Sequence, residues 1–477
     1  MTRERATVKK TVAVFGAMIL AGLMLAPPAV AEGKSGKLQG FDSLTRPGKA
    51  APVKAKLERV MRVLSSVGIN PDVEGETLTF YLMEQPVTDA RYSVALETPK
   101  YLGKGDTDGS GIAKIDFEPP RTGLFKIEAR VKQGSEYVAL PAPLTVAAFG
   151  AKAPIIVVDL DGTVTNVGSM KVAVAKDEDI KVRSGAEEAL GELFHKREKR
   201  VVYITARDST FVNRTRSWLE KTELPPGPVF FWDFWAKSWS EETFKTKLIK
   251  SLAEGFEGMV TGIGDADGDA KAFLANGMTP HILQEEKSES LSKFAVHVPS
   301  WSRMLRSVQR QGEIEALLGQ FASRDRIAQA EAWASLSRIE DGLLPCVARF
   351  RADTNLDRAA AARLIMGRTA ARQAFLSGLD MSTPSATLNS LAAAWRQGDS
   401  WVISRLYRKP EVAIGDCDPP IAPVGGVEVL KLDEPDASTA VYQLRVHPSD
   451  SKRRPVETTV KMVQLEDKSW RVETPDF

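Results

Sequence analysis

Asp159 and Asp161 stand two residues apart in the string Asp159-Leu-Asp161-Gly162-Thr163, directly after the apolar run Ile155–Val158. Carboxylates at i and i+2 leave an extended strand on the same side. One of them can attack phosphorus while the other gives a proton to the leaving oxygen and then activates water. Three further pieces complete that chemistry. Thr205 offers a hydroxyl for a phosphoryl oxygen and is followed by Ala206 and Arg207. A helix beginning near Thr243 carries Lys245 and Lys247, either of which can neutralise nucleophile and phosphate. Gly264-Asp265-Ala-Asp267-Gly-Asp269 is an acid-rich loop suited to Mg²⁺, a hard cation that prefers oxygen ligands.

Each piece has to be delivered by an element, and the sequence supplies one. Ile155–Asp159 is a continuous apolar run, as a strand buried on both faces requires. Ser184 and Glu187 have the spacing of a capping box for a helix through Lys196. Strands follow at Val201–Thr205, Pro228–Trp232 and Gly258–Gly264, alternating with helices at Val212–Leu219 and Thr243–Leu252. This order predicts an α/β, doubly wound parallel sheet with its chemistry at the carboxyl ends of the strands. The segments Asp161–Thr205 and Thr205–Lys245 are each consumed by a loop, a helix and a strand, so no cap domain is expected over the site. An open site admits bulky phosphates, and water exclusion then falls to the substrate or to neighbouring domains.

Asp159–Thr163, Thr205, Lys245 and Gly264–Asp269 resemble the four motifs of haloacid dehalogenase-type phosphatases. The resemblance implies that Asp159 is the nucleophile forming an aspartyl-phosphate and Asp161 the general acid/base. Thr205 would hold the phosphoryl group and Lys245 would stabilise charge. Gly162, Thr163, Ala206 and Arg207 would line the substrate, and Asp159, Asp161, Asp265 and Asp269 would form the Mg²⁺ site. A narrower likeness runs through Ile155–Leu283. Asp-Leu-Asp-Gly-Thr-Val-Thr, Thr205-Ala-Arg207, Leu224-Pro-Pro-Gly-Pro228, Phe244-Lys245, Asp265-x-x-x-Asp269, Ala272-Phe273 and Gly277 look like lipin-type phosphatidate phosphatases. The chain departs from the eukaryotic lipin pattern at Asp265, where lipins tend to have Asn, and at Thr205, where they have Ser. The implied substrate is phosphatidic acid at a membrane surface, giving diacylglycerol and phosphate. Two alternatives stand beside it: a soluble or protein phosphomonoester, and a non-catalytic module that binds phosphatidic acid, which the intact Asp159/Asp161 pair disfavours.

The rest of the chain reads as flanking domains. Residues 1–31 combine Arg3, Arg5, Lys9 and Lys10, an apolar run Thr11–Leu25 and Ala29-Val30-Ala31, the pattern of a secretory signal peptide. An exported protein, periplasmic or secreted, is therefore expected, with at most peripheral contact to a membrane. Residues 32–70 read as a linker (Glu32–Pro52) and a short helix (Lys54–Val67). Residues 71–150 hold short β-branched runs at Thr77–Met83, Arg91–Leu96, Gly111–Phe117, Gly123–Val131 and Leu144–Phe149, a small β-sandwich resembling immunoglobulin-like or transthyretin-like modules. Within them Asp106-Thr-Asp108-Gly-Ser-Gly111 is a turn, since the twelfth position of a calcium loop here is Phe117. The phosphatase-like domain is expected over 151–310 and a helical region over 311–382. An α+β roll resembling the nuclear-transport-factor superfamily is expected over 383–477. Such flanking domains are candidate surfaces for a protein partner.

Composition agrees with a folded multidomain chain: 43% hydrophobic, 26% charged and a formal charge of +2 over 477 residues, which gives no basis for nucleic acid as a partner. His195, His281, His297 and His447 are scattered, giving a His/Cys zinc site no support. Export would favour a disulfide between Cys346 and Cys417. The aromatic string Phe230–Trp239 is expected to serve the core at Phe230 and Trp232, with a membrane-dipping rim as its alternative. Arg303, Arg306 and Arg310 read as the solvated face of a helix.

Overall fold

The computed structural model describes residues 33–61, 70–87, 93–168, 179–232, 240–323, 325–339, 343–353, 355–397, 424–448 and 455–473. The expected signal peptide, Cys417 and the aromatic residues past Trp232 as far as Trp239 lie outside them. The chain divides into two compact units, Met1–Gly312 and Glu313–Phe477.

The first unit opens with strands β1 (Lys34–Phe41), β2 (Ser43–Thr45), β3 (Ala51–Arg59), β4 (Thr77–Pro86), β5 (Ser93–Asp106), β6 (Ile112–Phe117), β7 (Gly123–Val131), β8 (Tyr137–Val138) and β9 (Ala142–Ala148). They form two sheets, ordered β6-β3-β1-β8 and β2-β9-β7-β4-β5. Leu38, Val53, Leu57, Phe80, Ile127 and Leu144 from both sheets share one core. Two expectations fail here. Glu32–Pro52 is not a linker, and Lys54 begins no helix. Ala51, Val53, Ala55 and Leu57 are buried while Pro52 and Lys54 are exposed. That two-residue period is a strand's, and it outweighs the helical spacing that Leu57, Val60, Met61 and Leu64 suggest. The Asp106–Gly111 segment is the expected turn, with the Asp108 carboxylate accepting from the N–H groups of Ser110 and Ile112.

The parallel sheet follows. Its strands are β10 (Ile155–Asp159), β11 (Arg200–Asp208), β12 (Val229–Trp232), β13 (Met259–Gly264), β14 (Thr279–Leu283) and β15 (Val296–Val298). All five pairings are parallel, in the order β12-β11-β10-β13-β14-β15. The acid-rich loop therefore leaves an interior strand, and two further strands that the sequence reading did not assign extend the sheet. Helices α1 (Ala186–His195), α2 (Val212–Leu219), α3 (Glu241–Ala253), α4 (Asp267–Ala275) and α5 (Trp301–Phe321) complete the layers.

Ile155, Ile156, Val157 and Val158 are each at most 1% exposed. At about 1.5–3 kcal/mol per side chain, their burial fixes the strand that ends in Asp159. The capping box expected at Ser184 does not form. α1 is capped by Gly185 at φ 83°, and the Glu187 carboxylate accepts from the Glu223 N–H instead. A Cβ on Gly185 would lie 3.3 Å from the Cβ of Trp301, so close packing against α5 favours glycine there.

The second unit contains α6 (Arg326–Arg338), α7 (Leu343–Ala348), α8 (Leu356–Ser377) and α9 (Pro384–Gln397). Its antiparallel meander runs β16 (Val424–Asp436), β17 (Thr439–Pro448), β18 (Val456–Gln464) and β19 (Trp470–Val472). Leu388, Leu391 and Ala394 of α9 pack on Tyr442, Leu444, Met462 and Trp470 of the sheet, a helix-then-sheet order. Cys346 is buried in the helical part. Among the described residues, no helix is long and apolar enough to cross a membrane.

Candidate active site

Asp159 is the last residue of β10, and Asp265 and Asp269 both follow the end of β13. Oxygens of Asp159, Asp265 and Asp269 lie within 4.8 Å of one another. Lys245 Nζ, 1% exposed on α3, stands 2.7 Å from Asp159 Oδ1 and 2.6 Å from Asp269 Oδ1. Lys247 is exposed, so Lys245 is the lysine that reaches the cluster. Glu241, one turn earlier on the same helix, is 2.6 Å from Lys245 Nζ. Asp269 sits in the first turn of α4, where a negative charge meets the helix's positive end. Its Oδ2 accepts from the N–H groups of Asp265 and Ala266 at 3.2 Å. The buried Thr163 Oγ1 lies 3.1 Å from both Asp159 Oδ2 and Asp265 Oδ1 and can donate its one hydrogen to either.

The tight turn after β10 depends on Gly162. Its φ is 80°, and a Cβ there would lie 2.3 Å from Asp265 Oδ2. The turn is pinned from outside by Arg183, whose Nη1 donates to the Gly162 carbonyl at 2.8 Å. Trp301 Nε1 donates to the Thr163 carbonyl at 3.0 Å. Thr165 Oγ1 donates to the Val167 carbonyl at 2.7 Å.

Asp161 faces a different set of partners. Thr205 Oγ1 donates to its Oδ2 at 2.6 Å and Arg207 Nε to its Oδ1 at 2.9 Å. Arg207 Nη2 is a further 2.8 Å from Oδ1, Nη1 donates to Thr215 Oγ1 at 3.0 Å, and the guanidinium lies over the Trp218 ring. Thus the structure brings Asp159, Asp265 and Asp269 together as a candidate metal set and places the Asp161 carboxylate outside it. Ala206 is buried in β11 between Thr205 and Arg207.

Electrostatics separate the groups further. Burial pushes the Asp159 carboxyl well above the usual carboxylate range; Lys245 opposes this, and Asp269 and Asp161 add to it. Burial and then Asp269 raise Asp265 to about 6, against the Thr163 hydroxyl, Lys245 and Arg183. Burial works against the Lys245 charge, yet Asp159, Asp269 and Glu241 hold its pKa well above the ordinary lysine value.

Three clustered carboxylates against one buried lysine leave an excess of negative charge. Asp159 Oδ1 is buried against Lys245 Nζ at 2.7 Å. An all-oxygen, net-negative set of this kind fits Mg²⁺. Sequence reasoning missed Arg183, Glu241, Thr215 and Trp301. Only Glu241 had a legible signal, the i, i+4 spacing to Lys245.

The aromatic string divides as far as it is described. Phe231 and Phe230 pack against the two cores flanking the sheet, and Trp232 stacks on Phe244 with centroids 5.8 Å apart.

Residues 156–282 match the family model described as PITM 1-3, LNS2 domain. The match spans all four motifs, and it supports a haloacid dehalogenase-type, phosphatase-like domain of mixed α/β build. No curated protein matches the chain. Among solved structures, one from Thermotoga maritima assigned as a beta-phosphoglucomutase is 13% identical. It covers 33% of this chain and 98% of its own, with a TM-score of 0.25. The PKD domain of an M14-like peptidase from Thermoplasmatales archaeon SCGC AB-540-F20 is 12% identical over 25% of this chain and 98% of its own, with a TM-score of 0.13. The bacterial hydrophobin BslA is 11% identical over 26% and 97%, with a TM-score of 0.15. At TM-scores this low the likenesses carry no argument about fold or activity.

Proposed function

We propose that this chain is an exported, Mg²⁺-dependent phosphomonoesterase of lipin-like type, acting on phosphatidic acid through an aspartyl-phosphate. The observation that carries the reading is the division of the site. Asp159 lies with Asp265, Asp269 and Lys245, while Asp161, two residues on, is held by Thr205 and Arg207.

An Asp159 oxygen attacks phosphorus and the bond to the ester oxygen breaks. Asp161 gives that oxygen its proton, releasing diacylglycerol. Asp161 then takes a proton from water, the resulting hydroxide attacks phosphorus, and the bond to Asp159 breaks to release phosphate. Asp159, Asp265 and Asp269 would hold Mg²⁺, which when bound supplies neutralisation of the phosphoryl charge. Lys245 holds charge at the nucleophile throughout. The Thr205 hydroxyl, donated to Asp161 in the resting site, is the donor that turns to a phosphoryl oxygen when substrate enters. The LNS2 match supports a phosphatidic-acid-related role. Export rests on the basic, apolar and small-residue pattern of residues 1–31.

The test compares Mg²⁺-dependent phosphate release from phosphatidic acid vesicles with release from soluble phosphomonoesters. The expected result is faster release from the vesicles, abolished in Asp159→Asn. Faster release from soluble esters would overturn the lipid assignment. Release unaffected by Asp159→Asn would overturn the mechanism. Vesicle binding without any release would leave a phosphatidic-acid-binding module.

A further inference from the structure

We propose that the N-terminal β layer positions the acid/base Asp161, with the buried Asp42–Arg216 pair as its anchor and Thr215 and Arg207 as the link; this rests on the phosphatase reading above. The segment from Ser209 to Arg216 leaves the motif-two strand β11 and forms the start of α2. The N-terminal layer grips it at four places. Lys37 Nζ donates to the Thr210 carbonyl at 2.9 Å, and Gln39 Nε2 to the Ser209 carbonyl at 3.3 Å. Asn213 Nδ2 donates to the Leu38 carbonyl at 2.8 Å. Arg216 is the fourth point, and its contact is a buried ion pair.

Arg216 Nη2 is 2.8 Å from Asp42 Oδ1 and 3.0 Å from the Gly40 carbonyl, and Nη1 donates to the Pro143 carbonyl. The two side chains are 9% and 3% exposed. Asp42 also accepts from the Thr145 N–H within its own layer and from the Val229 N–H, at the start of β12, at 2.8 Å. One carboxylate thereby ties α2 and the edge strand of the parallel sheet to the same point of the β layer.

The next residue along, Thr215, is 1% exposed and accepts from Arg207 Nη1. Arg207, 3% exposed, donates from Nε to Asp161 Oδ1 and sets Nη2 2.8 Å from the same oxygen. Arg207 is therefore a positioning residue in the resting site, its guanidinium held between Thr215 and Asp161. Neighbouring residues of one helical turn, Thr215 and Arg216, face the acid/base and the β layer respectively. A shift of α2 away from the β layer moves Thr215, frees Arg207 to rotate, and changes where Asp161 points. Nothing in this path touches Asp159, Asp265, Asp269 or Lys245, so the nucleophile and the cation-holding residues stay in place.

That separation gives the test a specific signature. Full-length Asp42→Asn, Thr215→Val and the double variant are compared with the unaltered chain. Asp42→Asn keeps the shape and one acceptor oxygen, which makes it the gentlest break in the anchor. With phosphatidic acid vesicles, each single variant should lower kcat by about tenfold or more, as displaced catalytic groups do, with KM within about twofold. The double variant should lose little beyond either single one, because both break the same path. Independent, multiplying losses, or an unchanged kcat in a folded Asp42→Asn protein, would overturn the proposal.

Hydrogen exchange decides the matter separately from activity. Asp42→Asn should speed exchange in peptides covering Thr205–Arg216 by about tenfold, with β4 and β7 peptides unchanged. If the unaltered chain releases no phosphate from any ester, the phosphatase reading fails while this exchange pattern still supports the anchor. Exchange in Thr205–Arg216 that matches the unaltered chain would sink it.

Discussion

Lowering the pH from 7 to 4 should remove about 3 kcal/mol of stability from the first unit through a single residue, His281. It lies on β14 opposite Ile263 of β13, the strand that leads into Asp265. The ring is wholly buried, with Nδ1 2.8 Å from Ser307 Oγ and Nε2 2.9 Å from Gln311 Oε1 on α5. Because an amide oxygen only accepts, Nε2 carries the hydrogen and Nδ1 accepts from the serine. Thr261 Oγ1 also donates to Gln311 Oε1, at 3.0 Å. Burial pushes the imidazole from 6.5 down to about 4, the Gln311 contact opposing it.

The folded state thus refuses a proton that the unfolded chain accepts. Stability is fully present above pH 6.5 and declines as pH falls, by about 1.4 kcal/mol per pH unit, until the folded form titrates near 4. The assay is urea denaturation at pH 7, 6, 5 and 4, followed by hydrogen exchange in peptides containing Thr279–Leu283. His281→Gln is the comparison, since a glutamine amide can donate to Gln311 and does not titrate. Acid effects from the carboxylates are common to both proteins and cancel in the difference. The unaltered chain's advantage at pH 7 should shrink by about 3 kcal/mol at pH 4. Denaturation midpoints that fall in parallel would refute the reasoning.

Two substitutions probe the carboxylate cluster. Gly162→Ala places a methyl 2.3 Å from Asp265 Oδ2 and holds a non-glycine residue at φ 80°. It should raise the Mg²⁺ concentration for half-maximal phosphate release by about tenfold to a hundredfold, as loss of ligand orientation does, and an unchanged Mg²⁺ titration would count against the assignment. Lys245→Met leaves Asp159 and Asp269 buried without their cation, a loss of about 3–5 kcal/mol. Thermal unfolding should show that loss most strongly in a chelator and recover part of it with Mg²⁺; equal losses in both conditions would argue that no cation binds there.

The parallel sheet was legible because its strands are buried on both faces, and runs such as Ile155–Val158 have no competing reading as surface segments. α2 appears over the expected Val212–Leu219, and α3 begins at Glu241, two residues before its expected start. The strands around β1 to β3 were not legible as such. Their buried faces mix Ala51 and Ala55 with Leu38, Val53 and Leu57, and the small residues mark a core face only once a second sheet lies opposite. The candidate cluster at Asp159, Lys245, Asp265 and Asp269 was legible as types and order. The residues around it were not, because Arg183, Thr215 and Trp301 act through backbone carbonyls and hydroxyls that spacing along a chain does not reveal. Cys417, and with it the Cys346–Cys417 pairing, and residues 233–239 fall outside the described residues.

The fold imposes on the string Asp159-Leu-Asp161 a division of labour between carboxylates two residues apart. A strand that continued straight would send both into one environment, and two acids sharing one environment repel and titrate as a pair. Although the Asp161 charge still acts on Asp159, the turn after Asp159 gives the two acids different close partners. It leaves Asp159 among Asp265, Asp269 and Lys245, an acid-rich half whose excess charge calls for a cation. It gives Asp161 to Thr205 and Arg207, a half with donors and no second carboxylate in contact. A nucleophile needs its charge held in place beside the phosphoryl group, whereas an acid/base needs a fixed direction and donors that can be shared with substrate. The two halves also meet the N-terminal β layer differently: β10, α3 and α4 pack on its Leu124, Ala147 and Phe149 through apolar contacts, whereas α2 is held by hydrogen bonds and the Asp42–Arg216 pair. Loss of the Asp42–Arg216 pair alone should therefore impair proton transfer while the cation-holding half stays intact, a pattern opposite to that expected from Gly162→Ala.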